Sequence, residues 1–244
     1  MLGRVRGGAE GTTPHPSNAR PYPDRMRLLL TSGGVTNDSI RSALVEMLGK
    51  PIEESTALFI PTAQYGHPMC TPGVTLNSVS GPNSMTALGW KSVGLLELTA
   101  LPSMTGERWI PWVEEADALL VDGGDATYLA HWIRRSGLGE LLPSLERTVW
   151  VGVSAGSMVM TPRIGQEFEH WTSPEPGEGT LGMVEFSIFP HLDYPDFPEN
   201  TLADAERWAE HIDGPAYAID DQTAIRVLGD DVDVISEGHW RRLE

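Results

Sequence analysis

The sequence predicts an α/β fold: a mostly parallel, doubly wound sheet with helices on both faces and antiparallel additions at its C-terminal edge. Three observations carry that reading. Short, continuously apolar runs alternate with segments of helical periodicity between residues 27 and 154, and strands apolar on both faces belong to parallel sheets covered on two sides by helices. Several of those runs close on a glycine pair or on Ser-Ala-Gly, the small residues that a strand-to-helix turn requires. In the C-terminal tail the pattern changes to short strands separated by turn residues, as in antiparallel additions to an edge.

RLLLTSGG (27–34) opens as an apolar strand, and DSIRSALVEMLG (38–49) follows as a helix with Asp near its start and Gly at its stop. TALFIPTA (56–63) is the second strand. Residues 64–83 are turn-rich and read as a loop with short helical pieces. MTALGW reads as the end of a helix and SVGLLEL (92–98) as the third strand. WIPWVEEAD leads into ALLVDGG (118–124), the fourth strand, and DATYLAHWIRRSG is a helix capped by Asp125. LGELLPSLER is a further helical piece, and TVWVGVS (148–154) is the fifth strand. Beyond a Gly/Pro/Glu-rich loop, FSIFPHLDYPD runs apolar and stops at Pro190-His191. TLADAERWAEHI (201–212) is helical, and AYAIDD, TAIRVLG and DVDVISEG are short strands.

Composition narrows the class of function. A chain of 244 residues can bury one sizeable core. Its 34 acidic and 17 basic residues leave a net charge of −17, which repels nucleic acid and anionic membranes. An acidic substrate would need a local cationic pocket. The single cysteine, Cys70, matches no metal spacing and reads as a bystander thiol; such cysteine usage predicts a reducing, cytoplasmic setting. No run reaches the length of a membrane span, and the N-terminus lacks the apolar centre of a secretion signal. Residues 1–24 read as a disordered leader, or as an extension upstream of a start at Met26. Trp109, Trp112 and Trp132 are compatible with a homo-oligomer interface and equally with helix packing, so oligomeric state stays open.

In a sheet of this kind functional loops gather at the carboxyl ends of the strands. Gly152-Val153-Ser154-Ala155-Gly156 stands at such an end and matches the Gly-x-Ser-x-Gly nucleophile elbow. A serine strained on that turn needs small residues two positions away on either side. The free N–H groups of the helix that follows, from Ala155 onward, can stabilise an oxyanion. The pentapeptide alone does not separate a nucleophile from a glycine-rich turn that holds a serine.

A nucleophilic serine also needs a base. His15 lies in the leader, His131 and His211 fall in helices, His239 is beside the C-terminus, and His191 alone directly follows an apolar strand. The orienting acid stays open. Asp220 and Asp221 end the AYAI strand and point to opposite faces, while Asp193, Asp196, Glu167 and Glu169 are rivals closer to His191 in sequence. The order Ser, His, acid differs from the Ser, acid, His of α/β-hydrolases, which disfavours an ordinary esterase or lipase.

LLLTSGG, LLVDGGDATYL, GVSAGSMVM, FPHLDYPD and AIDDQTAIRV, in that order, resemble the peptidase E family of serine peptidases. That family is similar to cyanophycinases and, more distantly, to class I glutamine amidotransferases. The resemblance runs from about residue 27 to the end, so residues 25–244 are expected to form a single domain of this type. It implies Ser154 as nucleophile, His191 as general base, and Asp221 at the acidic position where relatives often carry Glu. The N–H groups of Gly124 and Ala155 would form the oxyanion hole. The implied reaction is hydrolysis of a small peptide through an acyl-enzyme, with no metal or cofactor. Relatives that release N-terminal aspartate need a cation near its side chain. Here Asp204 stands about where that cation is expected, with Arg207 one turn later, so the side-chain preference does not carry over. Two other readings stay in play: a non-catalytic peptide or small-molecule binding module of the same fold, and a glutamine amidotransferase-like amidase, whose elbow normally carries Cys.

Overall fold

The five apolar runs pair side by side as a parallel core: β1 (Arg27–Thr31), β2 (Thr56–Ile60), β3 (Ser92–Leu95), β4 (Ala118–Val121) and β5 (Val149–Val153). The chain then leaves for a second sheet, where β6 (Ser187–Phe189) and β7 (Ala216–Ile219) run parallel. It returns as β8 (Thr223–Leu228) and β9 (Asp231–Ser236), which extend the first sheet antiparallel beyond β1. Finally β10 (Trp240–Leu243) joins the second sheet antiparallel to β7. The two orders are β3-β2-β4-β5-β1-β8-β9 and β10-β7-β6. The computed structural model describes residues 26–175, 177 and 179–244, so the expected leader at 1–24 lies outside the described residues.

The mostly parallel α/β architecture is therefore the one the apolar runs predict, with two differences in the tail. The AYAI strand is not an addition to the main sheet edge but the middle strand of the second sheet, and β10 carries no apolar run by which to read it. Segment 64–83 contains more regular structure than its turn residues suggest. Thr71 caps a helix that begins at Pro72, and proline at a first helical position lacks only an N–H that would be unpaired anyway.

Helices cover both faces because the strands are apolar on both. Leu29, Phe59, Leu120 and Val151 pack with Ile40, Leu44 and Met47 of α1 (Asp38–Leu48). The alternate residues Leu28, Leu30, Leu119, Val121 and Trp150 point the other way. Of the helices that follow, α2 (Pro72–Ser80) buries no residue, whereas α3 (Gly106–Glu114), α4 (Ala126–Arg135), α5 (Leu138–Leu141) and α6 (Ala155–Met158) cover that second face. The last helix, α7 (Leu202–Ala209), starts in a reciprocal capping box between Thr201 and Asp204 and seats Ala205 and Trp208 against Phe189 and Ala218.

The register around β1 decides what can meet at the rim. Thr31 is opposite Val153 of β5 on one side and Ala224 of β8 on the other. The residue after β1 therefore lies between the residue after β5 and the turn that precedes β8.

Candidate active site

Ser154 is the first residue beyond β5 and the N-cap of α6, with φ 48° and ψ −112°. A non-glycine residue at such angles costs on the order of 1–3 kcal/mol and persists only where its surroundings over-determine it. Both flanking glycines are required by close backbone approach. A Cβ on Gly152 would lie 2.4 Å from the Gly156 carbonyl oxygen, and one on Gly156 would lie 2.2 Å from that of Val121. The turn is tied to β1: the Ser154 N–H donates to the carbonyls of Thr31 and Ser32, each at 3.1 Å, and Ser157 Oγ donates to the Thr31 carbonyl at 2.7 Å.

His191 sits two residues beyond β6, itself at φ 57°. Asp221 sits two residues beyond β7, which pairs with β6, and the Leu192 N–H donates to the Ile219 carbonyl at 3.1 Å. That pairing brings the two side chains together, with His191 Nδ1 and Asp221 Oδ1 2.8 Å apart. Burial pushes the Asp221 carboxyl up. The hydrogen bond and charge of His191, together with the hydrogen bond from Ser32, outweigh burial and hold it below the usual carboxylate range. The loop after β1 closes around this acid. Thr36 Oγ1 donates to the Asp221 carbonyl at 2.6 Å, and a Cβ on Gly33 would lie 2.7 Å from Asp221 Cβ, so only glycine fits there.

Ser32 was not among the candidates read from the sequence. It is fully buried, its hydroxyl donates to Asp221 Oδ1 at 2.6 Å, and it accepts the His191 N–H at 2.7 Å. A serine in a strand-end Ser-Gly-Gly looks like ordinary turn chemistry, and nothing local marks it as a neighbour of residues 191 and 221.

The rival acids lie elsewhere. Asp220 turns to the opposite face from Asp221, where its carboxylate accepts the Thr223 hydroxyl and pairs with His239 Nδ1 at 2.9 Å. Asp193 meets His239 Nε2 at 3.0 Å. Asp196, Glu167 and Glu169 make no hydrogen bond to His191 among the described residues. Arg207 hydrogen-bonds Asp204 on the exposed side of α7, and Asp204 itself serves the capping box. Trp109 is core, while Trp112 is 42% exposed with the Arg108 guanidinium 6.0 Å from its ring centroid. Trp132 packs edge-on against Tyr128.

The Gly-Gly-Asp turn after β4 faces the elbow: a Cβ on Gly123 would lie 3.5 Å from Ser154 Cβ. The Gly123 N–H donates to Asp122 Oδ1 at 2.9 Å, whereas the N–H groups of Gly124 and Ala155 have no acceptor among the described residues. Gly124 has φ 136°, and a Cβ there would lie 2.3 Å from the Ala63 carbonyl. Burial raises the Asp122 carboxyl above its usual range against the hydrogen bonds of Ser78, Gly123 and Gln64. Burial also raises the Cys70 thiol, with the charge of Asp122 adding to it, a direction that disfavours the reactive thiolate. No group of three or more metal-ligating side chains occurs among the described residues, and no helix among them is long and apolar enough to cross a membrane.

A family model described as Peptidase family S51 matches residues 28–235. Peptidase E of Streptomyces coelicolor is 32% identical over 126 residues, covering 48% of this chain and 51% of that protein, so the match spans about half the length of this curated relative. A solved structure of a candidate peptidase E protein from Listeria monocytogenes EGD-e has TM-score 0.67 at 20% identity, over 87% of this chain and 99% of its own. A peptidase from an acI-B1 Actinobacterium has TM-score 0.59 at 18% identity, over 89% and 93%. At these identities the two structures speak for the fold.

Proposed function

The chain belongs to peptidase family S51, and from that membership we propose that it is a serine exopeptidase that hydrolyses short peptides, dipeptidase E-like, through an acyl-enzyme on Ser154. The observation that carries the reading is the 2.8 Å bond between His191 Nδ1 and Asp221 Oδ1, on the same strand-end rim as the strained backbone of Ser154. An ionised carboxylate only accepts, so Nδ1 carries the proton and Nε2 keeps its lone pair.

The chemistry follows from that tautomer. His191 Nε2 takes the Ser154 Oγ proton as Oγ bonds to the peptide carbonyl carbon. The N–H groups of Gly124 and Ala155 receive the developing oxyanion, and one such donor is worth roughly 2.7–4 kcal/mol of barrier. The C–N bond breaks as protonated His191 returns its proton to the leaving amine. Water then repeats the sequence on the ester and releases the acid.

The test joins a fluorophosphonate probe to a dipeptide library. Wild type is expected to label stoichiometrically and to cleave part of the library. Ser154→Ala is expected to lose labelling and to lower kcat by roughly 10³-fold or more. Equal labelling of the two proteins rejects the nucleophile. Thermal stabilisation by dipeptides without cleavage would favour the binding-module reading.

A further inference from the structure

We propose that Ser32 is a positioning residue of this site: its buried hydroxyl sets the geometry of the His191–Asp221 pair, and its carbonyl registers that pair against Ser154. The inference rests on the reading of Ser154 as nucleophile. Three contacts of one side chain and backbone carry it. Ser32 Oγ lies 2.6 Å from Asp221 Oδ1 and 2.7 Å from the His191 backbone nitrogen, and the Ser32 carbonyl accepts the Ser154 N–H at 3.1 Å.

The polarity of this junction is forced. A hydroxyl has one proton. The carboxylate can only accept it, and the His191 N–H can only donate, so the Ser32 proton points at Asp221 and a lone pair at His191. The hydroxyl oxygen is also 3.4 Å from His191 Nδ1. With its proton already committed, it tolerates an N–H at Nδ1 and opposes a lone pair there. Ser32 and Asp221 thus select the same tautomer, the one that leaves Nε2 free. The bond to the His191 N–H also supports a backbone held at φ 57°, a conformation uncommon for a residue other than glycine.

Sheet order explains why this residue holds that position. β1 lies between β5 and β8, so its first residue beyond the strand is flanked by the elbow and by the turn carrying Asp221. A merely structural serine would affect folding; a positioning serine affects the rate at which Ser154 reacts.

The experiment compares wild type, Ser32→Ala and Ser154→Ala by fluorophosphonate labelling across pH, with melting temperature measured alongside. For Ser32→Ala the maximal labelling rate is expected to fall ~10–100-fold, the loss of a charge-assisted hydrogen bond, with half-saturation within about twofold. The acidic limb of its pH profile is expected to move upward, because Asp221 no longer shares its charge with a hydroxyl. A lowered melting temperature with unchanged labelling rate and pH limb overturns the proposal. If Ser32→Ala does not fold, Ser32→Cys, which keeps the shape and weakens the hydrogen bond, decides. A labelling rate well below wild type in the folded variant supports the proposal, and a wild-type rate overturns it. Labelling that survives Ser154→Ala removes the parent reading. Labelling lost in Ser154→Ala but unaltered in Ser32→Ala removes Ser32 alone.

Discussion

At the scale of single residues, the site is a contest between burial and hydrogen bonding, and Asp221 and Asp122 resolve it in opposite directions. Asp221 gains an imidazole and a hydroxyl and stays ionised; Asp122 is held mainly among neutral groups and its carboxyl rises. The sign of the Asp221 effect on stability follows. Its folded value lies below the unfolded one, so its contribution is complete above about pH 4 and is lost as pH falls through the depressed folded value. The difference in unfolding free energy between wild type and Asp221→Asn is therefore expected to shrink as urea titrations are taken from about pH 5 to more acidic values. The same variant should lower kcat by roughly 10³–10⁴-fold, because an amide can donate to Nδ1 and so favour the wrong tautomer. Activity close to wild type would show that Asp221 does not orient His191. The adjacent Asp220 shows why sequence alone leaves the identity of the acid open. Strand alternation states that 220 and 221 face apart, but not which of them faces the histidine.

At the scale of elements, the elbow is a packing problem between β4, β5 and α6. Gly156 lets α6 begin directly against the end of β4, where the Val121 carbonyl leaves no room for a methyl group. Gly156→Ala is expected to cost about 1–3 kcal/mol, read as a lowered melting temperature, because the neighbour that must move is backbone. Gly179→Ala is the control, since nothing lies within 4 Å of a Cβ there. Equal melting temperatures for the two variants would mean that α6 can shift freely. This element was legible because its constraint is local: small residues must occur two positions either side of the serine. The pairing of β6 with β7 in a separate sheet was not legible, since each is a short apolar strand equally suited to the main sheet edge. α2 is one of the short helical pieces expected in segment 64–83, and its bounds were not legible for a different reason. A helix with no buried residue has no apolar period to reveal it.

At the scale of the whole molecule, the acidic excess is a field rather than a contact. With a net charge of −17 the folded chain repels itself, and the repulsion is screened by salt. Raising NaCl from about 20 to about 200 mM shortens the screening length from roughly 20 Å to roughly 7 Å and is expected to raise the melting temperature. A melting temperature that falls over this range would mean that favourable ion pairs, such as Arg226 with Glu46 and Asp233, outweigh the net repulsion. The sequence by itself determined the parallel core, the helices over it, the strained serine turn and the strand-end histidine, because apolar runs, caps and small-residue spacing act between near neighbours. Only the tertiary structure decided that Asp221 rather than Asp220 reaches His191, and that Ser32 joins both to the backbone of Ser154. Those contacts span 30 to 189 positions along the chain and are set by strand order and register, for which no short stretch of residues carries a signal.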